Sequence, residues 1–226
     1  YVNIQYPWDG HENPQEPNVP ETNHVALYRR TFTVAERLDA ARQNGGTVSI
    51  TFHGMATAIY VWVNGMFVGY GEDGYTPNEF DITEALNVDG TNVLTVACYE
   101  YASASWLEDQ DFWRLHGLFR SVELAAQPRV HVETVQIEAD YNPSTAAGTL
   151  NATLQLRNAN DAATVKAKLR DTSGTVVWES TQCANETIIL NSGALKNIAP
   201  WSAEEPTLYE LTVLVVGHDG PLVEKI

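Results

Sequence analysis

Short apolar runs broken by turn residues recur along the whole chain, and no segment sustains a 3.6-residue period over the roughly ten positions a long helix needs. The clearest case is Ala58-Ile-Tyr-Val-Trp-Val63, followed by Asn64-Gly65 and then Met66-Phe-Val-Gly69. An Asn-Gly pair between two such runs predicts a tight hairpin, because both residues tolerate the positive φ of a type I′ turn. The expected fold class is therefore all-β.

Thr47 to Phe52, Asn92-Val-Leu-Thr-Val-Ala-Cys98 and Arg120-Ser-Val-Glu-Leu124 supply further strands, with Val25 to Val34 among their partners. The alternation breaks at Ala125-Ala-Gln-Pro128, where Pro removes a ladder donor, and restarts at Val130-His-Val132 and Val135-Gln-Ile137. This places a boundary near residue 127, with domains at 1–127 and 128–226. Beyond it, Thr149 to Leu156, Thr164 to Arg170, Val176-Val-Trp178 and Leu208 to Val216 follow the rhythm of a seven-stranded immunoglobulin-like sandwich. No Cys-Trp-Cys pattern is present, so the domain is not of the antibody type.

Composition narrows the partners. A formal charge of −16, with only 13 Lys and Arg, excludes nucleic acid, which needs clustered cations for its phosphates. No apolar run approaches the ~18 residues that cross a bilayer, and the chain opens on polar Tyr1-Val-Asn3, so neither membrane nor leader is expected. Two cysteines, Cys98 and Cys183, form no disulfide framework and suit a reducing, cytoplasmic setting. The sequons Asn151-Ala-Thr153 and Asn185-Glu-Thr187 are short enough to arise by chance.

One stretch carries chemistry. Trp106-Leu-Glu-Asp-Gln-Asp-Phe-Trp-Arg-Leu-His-Gly-Leu-Phe-Arg120 crowds three acids, two Trp and two Arg into fifteen residues, polar recognition groups set between apolar anchors, as in the wall of a sugar site. It closely resembles a segment of the bacterial, lactose-cleaving β-galactosidases of glycoside hydrolase family 2. The resemblance extends nearly end to end. It includes Tyr1-Val-Asn3 with Tyr6-Pro7, Val61-Trp-Val-Asn-Gly65 with Val68-Gly-Tyr-Gly-Glu-Asp73, Pro77-Asn-Glu-Phe-Asp81, and Pro200-Trp-Ser-Ala-Glu-Glu-Pro-Thr-Leu-Tyr209.

The resemblance implies a jelly-roll (galactose-binding-like) β-sandwich whose start is missing, then an immunoglobulin-like β-sandwich. A (β/α)8 barrel with both catalytic glutamates is implied outside this chain. It also implies that Asn3 and Asp111 are substrate-binding and reach into the galactose pocket, that Asp111 ligates sodium, and that magnesium belongs to the barrel. The roles suit the groups: a carboxylate accepts from hydroxyls, an amide donates and accepts, and a hard cation takes oxygen ligands. The partners so implied are a β-galactoside, the barrel, and further copies in a homo-oligomer. Tyr101-Ala-Ser-Ala-Ser105 departs from the family pattern, offering no carboxylate for a structural magnesium that Glu72 alone does not hold.

Several residues read as structural. Glu108 and Asp109 read as solvated loop face. Arg114 and Arg120 read as partners of nearby carboxylates, Trp62 and Trp201 as core, and Trp106 equally as core or sugar platform. Gly69-Tyr-Gly-Glu-Asp-Gly74 spells a dinucleotide fingerprint, but acids and Tyr75-Thr-Pro77 follow where a helix is required. The six histidines lack metal-ligand spacing.

Retaining glycosidases need two carboxyls ~5–5.5 Å apart, one with a raised pKa. Glu79/Asp81 and Asp109/Asp111 have the spacing that shares a strand face, with nothing beside them to raise a pKa. The expected function is the non-catalytic part of a retaining β-galactosidase acting on terminal β-D-galactosides such as lactose, and the chain alone is expected to be inactive. The alternatives are a free-standing carbohydrate-binding module and a purely structural pair of sandwiches.

Overall fold

The structure, a computed structural model, describes residues 8, 12–87, 90–108 and 115–217, and the backbone of Leu222–Lys225. The chain divides into two compact units, Tyr1–Ala126 and Gln127–Ile226.

The first unit is a jelly-roll sandwich. One sheet has the order β1 (Val25–Phe32), β7 (Asn92–Tyr99), β4 (Ala58–Val63), β5 (Met66–Gly71). The other runs β6 (Asn78–Asp81), β2 (Thr47–Phe52), β9 (Val122–Gln127). A two-stranded ladder of β3 (Met55–Ala56) and β8 (Gly117–Leu118) sits beside them. Val25 to Phe32 pairs antiparallel with β7, from Val25↔Tyr99 to Phe32↔Asn92, as expected.

The two-residue side-chain period decides what each strand buries. Val48, Ile50 and Phe52 of β2, Ile59, Val61 and Val63 of β4, and Val96 and Cys98 of β7 meet in one core, none more than 2% exposed. Each such side chain is worth about 1.5–3 kcal/mol of burial.

The hairpin forms where Asn64-Gly65 requires it. Their φ angles are 52° and 82°, and Val63 pairs with Met66. The Asn64 side chain adds bonds of its own: Nδ2 donates to Ala85 O (2.8 Å) and Asn92 Oδ1 (2.7 Å), and Oδ1 accepts from Val93 N (2.9 Å). Farther along, a Cβ at Gly69 would occupy the space of the Phe80 ring, so that glycine lets β5 lie against β6.

In the second unit, β10 (His131–Asn142), β11 (Ala147–Arg157) and β14 (Thr187–Asn191) form one sheet, with short β15 (Leu195–Lys196) on β11. The facing sheet runs β13 (Val176–Cys183), β12 (Ala162–Arg170), β16 (Glu210–Gly217), β17 (Leu222–Lys225). Leu150, Ala152, Leu154 and Leu156 alternate inward to meet Val165, Ala167, Val213 and Val215. This is the immunoglobulin-like sandwich.

Four details depart from expectation. Glu36–Gln43 forms a helix, α1, on the strength of good helix formers alone. It buries no residue, so it leaves no apolar period to detect. It ends at Gly45, whose φ of 79° and bond to Arg42 O are a left-handed stop. The strands β6 and β14 were also not anticipated. Trp62 is only half-buried, because Val61 and Val63 take the inward face and turn it outward onto Tyr60 and Phe67. Trp201 is 62% exposed, since it lies between β15 and β16 rather than on a strand.

Candidate functional site

The segments flanking both expected sugar contacts meet at one end of the first unit. Trp8, only 4% exposed, stands edge-on to Tyr101 with ring centroids 5.2 Å apart, and its ring lies 5.1 Å from that of Trp106. Trp106 Nε1 donates to Asn18 O (2.8 Å). The position is thus an anchor holding three stretches of chain, which decides between the two readings of Trp106 in favour of packing.

A side chain then stands in for backbone. Asn23 Nδ2 donates to Tyr101 O (2.9 Å), and Asn23 Oδ1 accepts from Tyr101 N (3.0 Å). Next to it Glu100 N donates to His24 O (2.9 Å), and His24 Nδ1 lies 2.6 Å from Glu100 Oε2. Glu12 receives Glu21 N (2.6 Å) and Thr22 N (3.1 Å), and the Thr22 bonds hold its carboxyl below the usual range. The 12–24 segment is therefore laced to itself and to residues 100–101.

The loop leading toward Asp111 is fixed in the same way. Ser103–Trp106 makes a 3-10 turn, closed by Ser105 Oγ accepting from Ala102 N (3.0 Å). Ser103 Oγ donates to Glu72 (2.8 Å), whose carboxylate also receives the Tyr70 hydroxyl (2.7 Å). Burial and this neighbouring carboxylate together push the Tyr70 phenol upward. Glu108 is half-buried, and desolvation raises its pKa despite a hydrogen bond from the Gly74 amide, with Asp73 and Glu72 adding like-charge repulsion. A small cleft of about 30 Å3 lies here, lined by Thr57, Tyr75, Glu100, Ser105, Glu108 and Leu115 among others.

Asn3, Asp109, Asp111, Trp113 and Arg114 lie outside the described residues. Glu108 departs from its reading as solvated face, because the Gly74 loop covers it. Arg120 is structural, but Nη1 donates to the carbonyls of His53 (3.2 Å) and Tyr75 (2.9 Å) rather than to carboxylates. Glu79 and Asp81 share an exposed face of β6, and Asp81 Oδ1 is occupied by Thr83 N (2.8 Å) and Oγ1 (2.6 Å). Gly71 leads through a loop into β6, not into a helix. Among the described residues no cluster of three or more His, Cys, Asp or Glu is placed to hold a metal. No helix among them is long and apolar enough to cross a membrane.

Residues 1–128 match the family model described as glycosyl hydrolases family 2, sugar binding domain, and residues 130–226 match the model described as glycosyl hydrolases family 2. The chain belongs to glycoside hydrolase family 2. Among family 2 relatives, β-galactosidase BgaC of Bifidobacterium adolescentis is 65% identical, over 100% of this chain and 23% of its own length. A β-galactosidase of Streptococcus thermophilus is 47% identical over 100% of this chain and 21% of its own. The chain thus spans between a fifth and a quarter of these curated relatives. A Bacteroides uniformis β-glucuronidase structure superposes with a TM-score of 0.74 at 21% identity, covering 89% of this chain and 25% of that one, which shows the shared fold.

The residues that reasoning from sequence missed are Trp8 and Asn23. Trp8 carried a weak signal, a Trp standing just before the polar stretch Asp9-Gly-His-Glu-Asn13. Asn23 carried none, because 78 residues separate it from Tyr101.

Proposed function

We propose that this chain is the sugar-recognition part of a retaining β-galactosidase, in which Asn3 and Asp111 hold the galactose unit and the bond-breaking carboxyls belong to a (β/α)8 barrel outside these 226 residues. The observation that carries the reading is the Trp8–Trp106 contact, 5.1 Å between ring centroids, which fastens the segment that follows Asn3 to the one that leads to Asp111. Two sequence stretches a hundred residues apart are thereby held at one end of the same sandwich. The names of the relatives, β-galactosidases at 65% and 47% identity, support the choice of sugar.

In this reading the chain's residues bind and orient. Asp111 accepts hydrogen bonds from sugar hydroxyls and offers an oxygen to sodium, while Asn3 donates and accepts. Both contacts are polar and directional, so they select galactose by leaving a mismatched sugar with unpaired groups. The whole enzyme is a cytoplasmic homo-oligomer acting on terminal β-D-galactosides such as lactose.

Activity of the isolated chain on nitrophenyl β-galactoside tests the division of labour. No turnover and no galactose binding at millimolar concentration are expected. Turnover abolished by Asp109→Asn or Asp111→Asn would place the chemistry in this chain, and millimolar or tighter galactose binding would make it a free-standing module.

A further inference from the structure

The carboxylate of Glu72 joins a sheet to a loop 31 residues farther along the chain. On the sheet side, Tyr70 of β5 pairs with Tyr60 of β4 and sets its ring 4.7 Å from the Tyr60 ring, which gives its hydroxyl a fixed place. That hydroxyl donates to Glu72 Oε2 (2.7 Å). On the loop side, Ser103 Oγ lies 2.8 Å from Oε2 and 3.0 Å from Oε1, at the start of the Ser103–Trp106 turn. Burial and the Glu72 charge hold the Tyr70 phenol far above its ordinary range, so it remains a donor at neutral pH. Among the described residues no Lys, Arg or His pairs with Glu72. Its charge instead strengthens the two hydroxyl bonds.

The stretch after Glu72 is internally bonded and takes a second hold on the same loop. Asn78 Nδ2 donates to Asp73 O (2.6 Å) and Thr76 O (3.1 Å), and Met55 N donates to Gly74 O (3.0 Å). The Gly74 amide donates in turn to the Glu108 carboxylate. Residues 72–74 thus grip both ends of the segment from Ser103 to Glu108, and the chain runs from there directly into Asp109-Gln-Asp111.

We propose that Glu72 is a positioning residue for sugar recognition, which ties the turn preceding Asp109-Gln-Asp111 to the fixed β4–β5 sheet by way of Ser103 and Tyr70. The role rests on the assignment of Asp111 to the sugar. Reach matters here more than charge. A Glu side chain spans from the end of β5 to Ser103. Asp, one methylene shorter, keeps the charge and loses the span, whereas Gln keeps the span and an acceptor oxygen without the charge.

In the longer enzyme, Glu72→Ala should raise KM for nitrophenyl β-galactoside and the galactose inhibition constant about tenfold while changing kcat less than about twofold, since a displacement of about 1 Å can cost up to about a hundredfold. Hydrogen exchange at Ser105, Leu107 and Glu108, whose amides close the turn, should quicken about tenfold. Glu72→Asp should behave like Glu72→Ala, and Glu72→Gln like the parent. The reverse order, with Asp like the parent and Gln impaired, would show that charge rather than position is at work and would overturn the proposal. So would unchanged exchange at the turn, faster exchange with an unchanged KM, or a fall in kcat as large as that in kcat/KM. If Glu72→Ala does not fold, Ser103→Ala removes the other half of the same bond and is read in its place. Asp111→Asn separates this role from the assignment of Asp111. Unchanged galactose inhibition in that variant, with the Glu72 series still in the expected order, would move the sugar contact to another group beyond the turn and leave the positioning role standing.

Discussion

At the scale of single residues, Asn64 serves both the turn and the packing around it. It tolerates the left-handed turn and makes three hydrogen bonds to neighbouring loops and strands. Asn64→Ala should therefore cost about 4–5 kcal/mol in chemical denaturation, from three lost bonds of about 1 kcal/mol each and a penalty of about 1–2 kcal/mol for positive φ. Glu108 makes a different prediction. Burial raises its pKa in the folded state, so its contribution favours folding at low pH and is lost as pH rises from the ordinary carboxylate range through the raised value. Glu108→Gln removes the cost of ionisation, and should raise the melting temperature at pH 7 relative to the parent while leaving the two alike near pH 4. A variant less stable at pH 7 would show that the Gly74 bond outweighs desolvation.

Among the elements, the β4–β5 hairpin and β6 form a unit fitted together at Gly69. Gly69→Ala drives a methyl group into the Phe80 ring and should destabilise by about 2 kcal/mol, an overpacking effect of which Phe80→Leu in the same chain recovers part. This hairpin was legible because the Asn-Gly turn and the runs beside it state the same answer twice. Which of its faces turns inward was not, since Tyr60 and Trp62 are as apolar as Val61 and Val63; the smaller β-branched side chains won the packed interior and left the aromatics outside. The helix α1 was illegible for the opposite reason, being formed by propensity with no buried face to mark it. The Trp106–Arg120 stretch stands out in the sequence by its local density of acids and Trp, whereas the Asn23–Tyr101 bracket, which depends on a long-range meeting, leaves no local trace.

On the scale of the whole molecule, the two sandwiches show no suitably placed pair of tuned carboxyls among the described residues, and two β-galactosidase relatives are about four to five times as long as this chain. The account therefore divides recognition from chemistry along the polypeptide. The bracket at the end of the first unit should matter to the whole enzyme: Asn23→Ala, which frees Tyr101, should raise KM for galactosides more than it lowers kcat, because it loosens groups that hold the sugar rather than groups that break the bond. The most direct test is the kinetics of Asp111→Asn in the longer enzyme with nitrophenyl β-galactoside. The account predicts a fall in kcat/KM of about a hundredfold, the worth of lost charge-assisted bonds to the sugar, together with weakened inhibition by galactose. An unchanged kcat/KM and an unchanged galactose inhibition constant would contradict it.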